Sequence, residues 1–173
     1  EGYVAGFACF VGRPNAGKST LTNALVGQKV AITSSKPQTT RHTIRGIVTT
    51  ERSQLVLVDT PGLHRPRTLL GQRLNDLVRE TLLEVDVIGF CLPANQRIGP
   101  GDQFIARELA ELRRGKRTPV VALATKSDAV DRGRLAEHLI AIDQLGDWSD
   151  IVPCSATRGD QVSVVGEVLA SHL

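Results

Sequence analysis

Gly12-Arg13-Pro14-Asn15-Ala16-Gly17-Lys18-Ser19 has the residue types and spacing of a phosphate-binding loop. Glycines let successive backbone N–H groups curl around phosphate oxygens, Lys18 brings a cation to the outer phosphates, and the Ser19 hydroxyl suits Mg²⁺. Thr20 continues the same segment. The apolar run Phe7 to Val11 precedes the loop, and Leu21, Ala24 and Leu25 follow at helical spacing, so the motif sits between an expected strand and an expected helix. That setting predicts a nucleoside triphosphate site.

A second group of residues completes such a site. The buried-looking run Leu55-Val56-Leu57-Val58 ends in Asp59-Thr60-Pro61-Gly62. A carboxylate there can hold Mg²⁺ through water, and the Gly62 amide can reach a γ-phosphate. Between the two motifs, Thr39-Thr40-Arg41 lies in the polar stretch Thr33 to His42. A hydroxyl from Thr40 completes the Mg²⁺ shell only when the γ-phosphate is present, which makes the segment a switch. The expected metal ligands are therefore Ser19, Thr40 and Asp59, and Lys18, Thr40 and Gly62 are the expected catalytic groups.

Two later motifs address the base. Thr125-Lys126-Ser127-Asp128 follows the apolar run Val120 to Ala124. A carboxylate at Asp128 can accept from the N1–H and the exocyclic amine of guanine. Adenine offers no such donor pair and would leave the charge desolvated and unpaired. The other use of Asp128 is a helix cap. Ser155-Ala156, just after Ile151 to Cys154, supplies backbone N–H groups for guanine O6.

Strands and helices must hold these loops in register. Apolar runs recur at Phe7 to Val11, Leu55 to Val58, Val85 to Leu92, Val120 to Ala124 and Ile151 to Cys154, mostly without polar alternation, as in parallel strands buried on both faces. Helical patterns separate them: Leu74, Leu77, Val78 and Leu82; Ile105, Leu109 and Leu112; Leu135, Leu139 and Ile142; Val162, Val165, Val168 and Leu169. This alternation predicts a three-layer α/β domain. Ile44 to Thr50 and Gln54 to Val58 read as a hairpin that adds one antiparallel edge strand. Asp102 and Asp160, each beside a glycine, are expected N-caps.

Bulk properties agree with one compact domain over residues 1–173. The chain has 41% apolar residues, enough for one sizeable core, and a net charge of +3, short of what marks a nucleic-acid binder. No apolar stretch approaches the ~20 residues of a membrane span, and nothing marks a peripheral membrane association. A cytoplasmic chain is the expectation. Cys9, Cys91 and Cys154 lie in or beside apolar runs at spacings that suit neither metal nor redox chemistry, and are expected core thiols. The absence of any methionine points to a segment of a longer chain.

Taken together, Gly12 to Ser19, Thr40, Asp59 to Gly62, Thr125 to Asp128 and Ser155-Ala156 resemble the guanine-nucleotide motif set of the translation-factor-related GTPases. Gly27-Gln28-Lys29-Val30, Pro37-Gln38-Thr39-Thr40-Arg41-His42 and Asp59-Thr60-Pro61-Gly62-Leu63-His64 narrow the resemblance to the Era family of bacterial ribosome-assembly GTPases. It implies a Ras-like P-loop domain with a mostly parallel six-stranded sheet and one antiparallel edge strand. It also implies GTP/GDP and Mg²⁺ as ligands, K⁺ held by the Asn15 side chain, and 16S rRNA and the 30S subunit as partners. The family carries a KH-type RNA-binding domain after the GTPase domain, and the given sequence has no Gly-x-x-Gly clamp loop of that kind.

Two positions depart from the common pattern. Thr125 stands where family members commonly have Asn, which contacts guanine N7 and braces the phosphate loop. A threonine hydroxyl is shorter, with fewer hydrogen bonds to give, so a modest loss of affinity with no change of base is expected. Leu63 stands where Ras-like enzymes place a water-orienting Gln, a replacement the family shares, so intrinsic hydrolysis is expected to be slow or to depend on another element. Arg41, Arg45, Arg65, Arg67 and Arg73 read either as a solvated basic surface or as RNA or partner contacts, and Arg41 could instead approach phosphate. Two other functions stay open: a nucleotide-gated binding module with negligible hydrolysis, and a related tRNA-modifying or assembly GTPase.

Overall fold

A computed structural model describes residues 2–28, 31–32, 44–59 and 69–173, with the backbone alone described at 28, 31, 32, 69–75 and 77. The chain runs β1 (Val4–Val11), α1 (Lys18–Gln28), β2 (Ala31–Ile32), β3 (Ile44–Thr49), β4 (Ser53–Val58), α2 (Leu69–Glu84), β5 (Val87–Cys91), α3 (Pro100–Gly115), β6 (Val120–Ala124), a 3-10 turn (Ser127–Ala129), α4 (Arg132–Leu145), β7 (Asp150–Pro153) and α5 (Val162–Ala170). The sheet order is β2-β3-β4-β1-β5-β6-β7. Strands β4, β1, β5, β6 and β7 are parallel, and β3 is antiparallel to β4. These six principal strands are the expected sheet. The two-residue β2 extends it, pairing Ala31 with Val48 and Ile32 with Ile47 on the outer side of β3.

The central strands lack polar alternation because both of their faces are covered. Along β1, Ala8 and Phe10 enter one apolar layer with Leu21 and Leu25 of α1 and Val165 and Leu169 of α5. Cys9 and Val11 enter the opposite layer with Val78 and Leu82 of α2, Ile105 and Leu109 of α3 and Ile142 of α4. Successive strand side chains point to opposite faces, so a strand between two helical layers needs an apolar residue at every position. β1 starts at Val4, before the apolar run, because its polar-flanked beginning still pairs with β4, Val4 opposite Ser53.

The two expected N-caps are corrected. Gly99 is the N-cap of α3, and Asp102 is its third residue, accepting the Gly99 N–H through Oδ2 at 3.0 Å. Gln161, in the left-handed region at φ 62°, caps α5, while the Asp160 carbonyl accepts the Ser155 N–H at 3.0 Å. Among the described residues no helix is long and apolar enough to cross a membrane.

Candidate nucleotide site

Parallel pairing brings the loops after β1, β4, β6 and β7 to one edge of the sheet, where open α/β folds bind ligands. The loop from Gly12 to Gly17 leaves β1 and runs straight into α1, whose first residue is Lys18. Two positions require glycine. A Cβ at Gly12 would lie 2.8 Å from the Cys91 carbonyl oxygen, and Gly17 adopts φ +98°. Asn15 also takes a left-handed backbone, φ 65°, which asparagine tolerates better than most residues.

Lys18 closes the loop. Its half-buried ammonium donates to the carbonyls of Gly12 at 2.8 Å and Arg13 at 2.9 Å. Burial lowers its pKa below the ordinary lysine value, and the nearby Cys91 pulls it partly back. A phosphate oxygen is a stronger, charged acceptor for the same N–H groups. Ser19 and Thr20 are exposed on the first turn of α1, where the helix dipole and free amides favour an anion. Asp59 is exposed directly after β4, the strand that pairs with β1 in register from Val4–Ser53 to Ala8–Leu57. Its carboxylate therefore shares the edge with the loop. The glycine cradle, the helix terminus and this oxygen-only donor set of Ser19 and Asp59 fit a phosphate chain with Mg²⁺.

The loop is also tied to the segment expected to read the base. Thr125, only 4% exposed, donates its hydroxyl proton to the Ala16 carbonyl at 2.7 Å. Lys126, with φ 57°, donates through Nζ to the Asn15 carbonyl at 2.9 Å. The shorter Thr125 side chain thus braces the phosphate loop directly. Asp128 lies exposed on the 3-10 turn, and its Oδ1 accepts the Ser155 hydroxyl at 2.7 Å. It caps no helix, since Asp131 caps α4 by accepting from the Arg134 N–H.

Ser155 differs from its expected role. Its N–H is committed to Asp160, so among the described residues Ala156 carries the free amide of this pair, and the buried Ser155 contributes a hydroxyl that orients Asp128. On the far side of the loop, Arg13 Nε donates to Asp102 Oδ1 at 2.8 Å, a contact not expected from the sequence. Its signal was the spacing Asp102, Ile105, Ala106 and Leu109, which places the carboxylate on the buried face of α3. Thr40, Thr60, Pro61, Gly62 and Leu63 lie outside the described residues, as do Arg41, Arg65 and Arg67; Arg45 is exposed on β3.

A family model described as 50S ribosome-binding GTPase matches residues 7–126, from β1 through the Gly12–Ser19 loop to Lys126 just after β6. The chain belongs to this GTPase family. Within it the chain is of the Era type. It is 69% identical to GTPase Era of Streptomyces coelicolor, over 98% of this chain and 54% of that protein. It is 61% identical to GTPase Era of Mycolicibacterium smegmatis, over 98% of this chain and 56% of the relative. A crystal structure of Era in complex with MgGDPNP and nucleotides 1506–1542 of 16S ribosomal RNA matches with TM-score 0.79 and 30% identity, covering 100% of this chain and 58% of the other. A variant of Aquifex aeolicus Era bound to GDP·AlF4⁻ matches with TM-score 0.77 and 30% identity, covering 98% of this chain and 57% of the other. This Era-type GTPase domain spans about half the length of the curated relatives it matches.

Proposed function

We propose that this chain binds GTP and GDP with Mg²⁺ and hydrolyses the γ-phosphate of GTP by in-line attack of water. The observation that carries this reading is the joining of phosphate and base motifs into one hydrogen-bonded unit. Thr125 and Lys126 hold the loop carbonyls of Ala16 and Asn15, and Ser155 orients Asp128. A nucleotide spanning both ends meets preorganised groups and spends little of its binding energy on ordering them.

Each residue then has a chemical task. The amides of Gly12, Arg13, Asn15 and Gly17 would curl about phosphate oxygens, the Ala16 N–H being held by the Arg13 carbonyl at 3.1 Å, while Lys18 would neutralise charge that grows on the outer phosphates. Ser19 and Asp59, with Thr40, would hold Mg²⁺, which supplies charge neutralisation between phosphates. The Gly62 amide, following Thr60 and Pro61 in the sequence, would reach the γ-phosphate. Asp128 accepts from guanine, and Ala156 donates to O6. Leu63 offers no hydrogen bond to a water molecule, so we assign the missing charge to K⁺ held by the Asn15 side-chain oxygen. Among the described residues no protein group takes up that amide.

In the whole protein this domain would act in the cytoplasm on the 30S subunit with 16S rRNA, consistent with the related Era solved with a 16S rRNA segment. Sequence-selective RNA reading belongs to the remainder of the protein. It needs stacking platforms or a backbone clamp; only 3% of these residues are aromatic, and the given sequence holds no Gly-x-x-Gly loop.

GTP turnover by this chain, with and without 30S subunits and against ATP, tests the reading. Guanine-specific hydrolysis accelerated by the subunits is expected. Tight nucleotide binding with no turnover in either condition would leave a nucleotide-gated binding module. Tight, salt-resistant and sequence-selective binding of a 16S rRNA 3′-end oligonucleotide would assign RNA reading to this domain instead.

A further inference from the structure

We infer that Thr125 makes this site indifferent to N7 of the guanine ring, so that recognition of the base rests on its Watson–Crick edge alone. The inference stands on the reading of the site as a guanine-nucleotide site. A hydroxyl has one proton. That of Thr125 is given to the Ala16 carbonyl at 2.7 Å, in a position only 4% exposed, and Thr125 also packs against the loop, 3.5 Å from a Cβ built at Gly17. Turning the proton toward a ligand would strand the Ala16 carbonyl, which costs more than a new neutral hydrogen bond returns.

The base chemistry makes this consequential. Ribose is joined at N9, so a guanine with its phosphates on the Gly12–Ser19 loop and its Watson–Crick edge at Asp128 turns its five-membered ring to the wall between them. Thr125 forms that wall, because it contacts Ala16 and lies three residues before Asp128. Guanine N7 is an acceptor only. Toward it Thr125 presents lone pairs and a methyl group, and neither donates. Replacing N7 by C–H therefore removes no hydrogen bond.

Titration of the chain with GTP and 7-deaza-GTP, with Mg²⁺ present, tests this. Dissociation constants within about twofold are expected, whereas a lost hydrogen bond weakens binding by about two- to tenfold or more. Thr125→Asn, which has two N–H donors, should create a preference for GTP over 7-deaza-GTP of about fivefold. Thr125→Ser keeps the single proton and should keep the ratio near one, and it serves if the Asn variant folds poorly. A loss beyond about twofold with 7-deaza-GTP in the unmutated chain would overturn the inference. Failure of GTP itself to bind would overturn the nucleotide reading beneath it.

Discussion

Asp102 is fully buried in the first turn of α3, and its Oδ1 holds Nε of Arg13 in the phosphate loop at 2.8 Å. The other oxygen takes the Gly99 N–H, so one carboxylate both starts α3 and fixes a loop side chain. The two ends of this pair are not equivalent. Arg13→Ala leaves a buried charge with a single donor and is expected to cost about 3 kcal/mol of stability. Asp102→Ala removes the charge with its partner bond and should cost about 1–2 kcal/mol, the scale of a lost cap and hydrogen bond. Urea denaturation of both variants checks the order, and a smaller loss for Arg13→Ala than for Asp102→Ala would contradict it.

Guanine preference should rest on Asp128. In Asp128→Asn an N–H faces the guanine amine, while the same group can pair with the C2 carbonyl of xanthine. GTP should weaken and XTP gain by roughly 2–4 kcal/mol each. Ser155→Ala, which frees the carboxylate without removing it, should weaken GTP by only about 1 kcal/mol. Calorimetric titration reads both, and unchanged GTP affinity in Asp128→Asn removes this residue from the base site.

Hydrolysis should be faster in KCl than in NaCl at matched ionic strength, with the difference lost in Asn15→Ala. A neutral side-chain oxygen suits a large monovalent cation. Equal rates in the two salts would rule out the role given to Asn15.

Proton uptake should accompany GTP binding in the alkaline range just below ordinary lysine titration. Burial lowers the Lys18 pKa, so the folded chain holds fewer protons there than the unfolded chain. Within the chain alone, this group costs stability while it stays charged. The cost is relieved as pH rises through the lowered pKa toward the unfolded value. Bound phosphates favour the ammonium and draw a proton back. Binding enthalpies compared in buffers of different ionisation enthalpy measure the uptake, and a null result would mean Lys18 does not meet the phosphates.

The thiols should be inert while the protein is folded. Burial pushes Cys9 and Cys154 up to about 12 and Cys91 higher still. Reaction with a disulfide reagent needs thiolate. At pH 8 the native chain should give almost no colour, with all three cysteines reacting after denaturation. Rapid labelling of the native chain would contradict the burial.

Periodicity and local motif chemistry lie along the chain itself, so they were readable without coordinates. Unbroken apolar runs at Phe7 to Val11 and Val120 to Ala124 announced strands covered on both faces, and Gly12 to Ser19 announced a strand–loop–helix turn. The edge strand β2 was not readable, because two residues carry no period. Asp102 and Ser155 were misjudged for a different reason. A polar side chain next to a glycine satisfies local rules for a cap, and an amide next to a motif appears free. Their partners, Arg13 and Asp160, are decided by which helix or turn packs against the loop. The same holds for Thr125: sequence supplies a hydroxyl with one proton, and only the approach of β6 to the phosphate loop determines that Ala16 receives it.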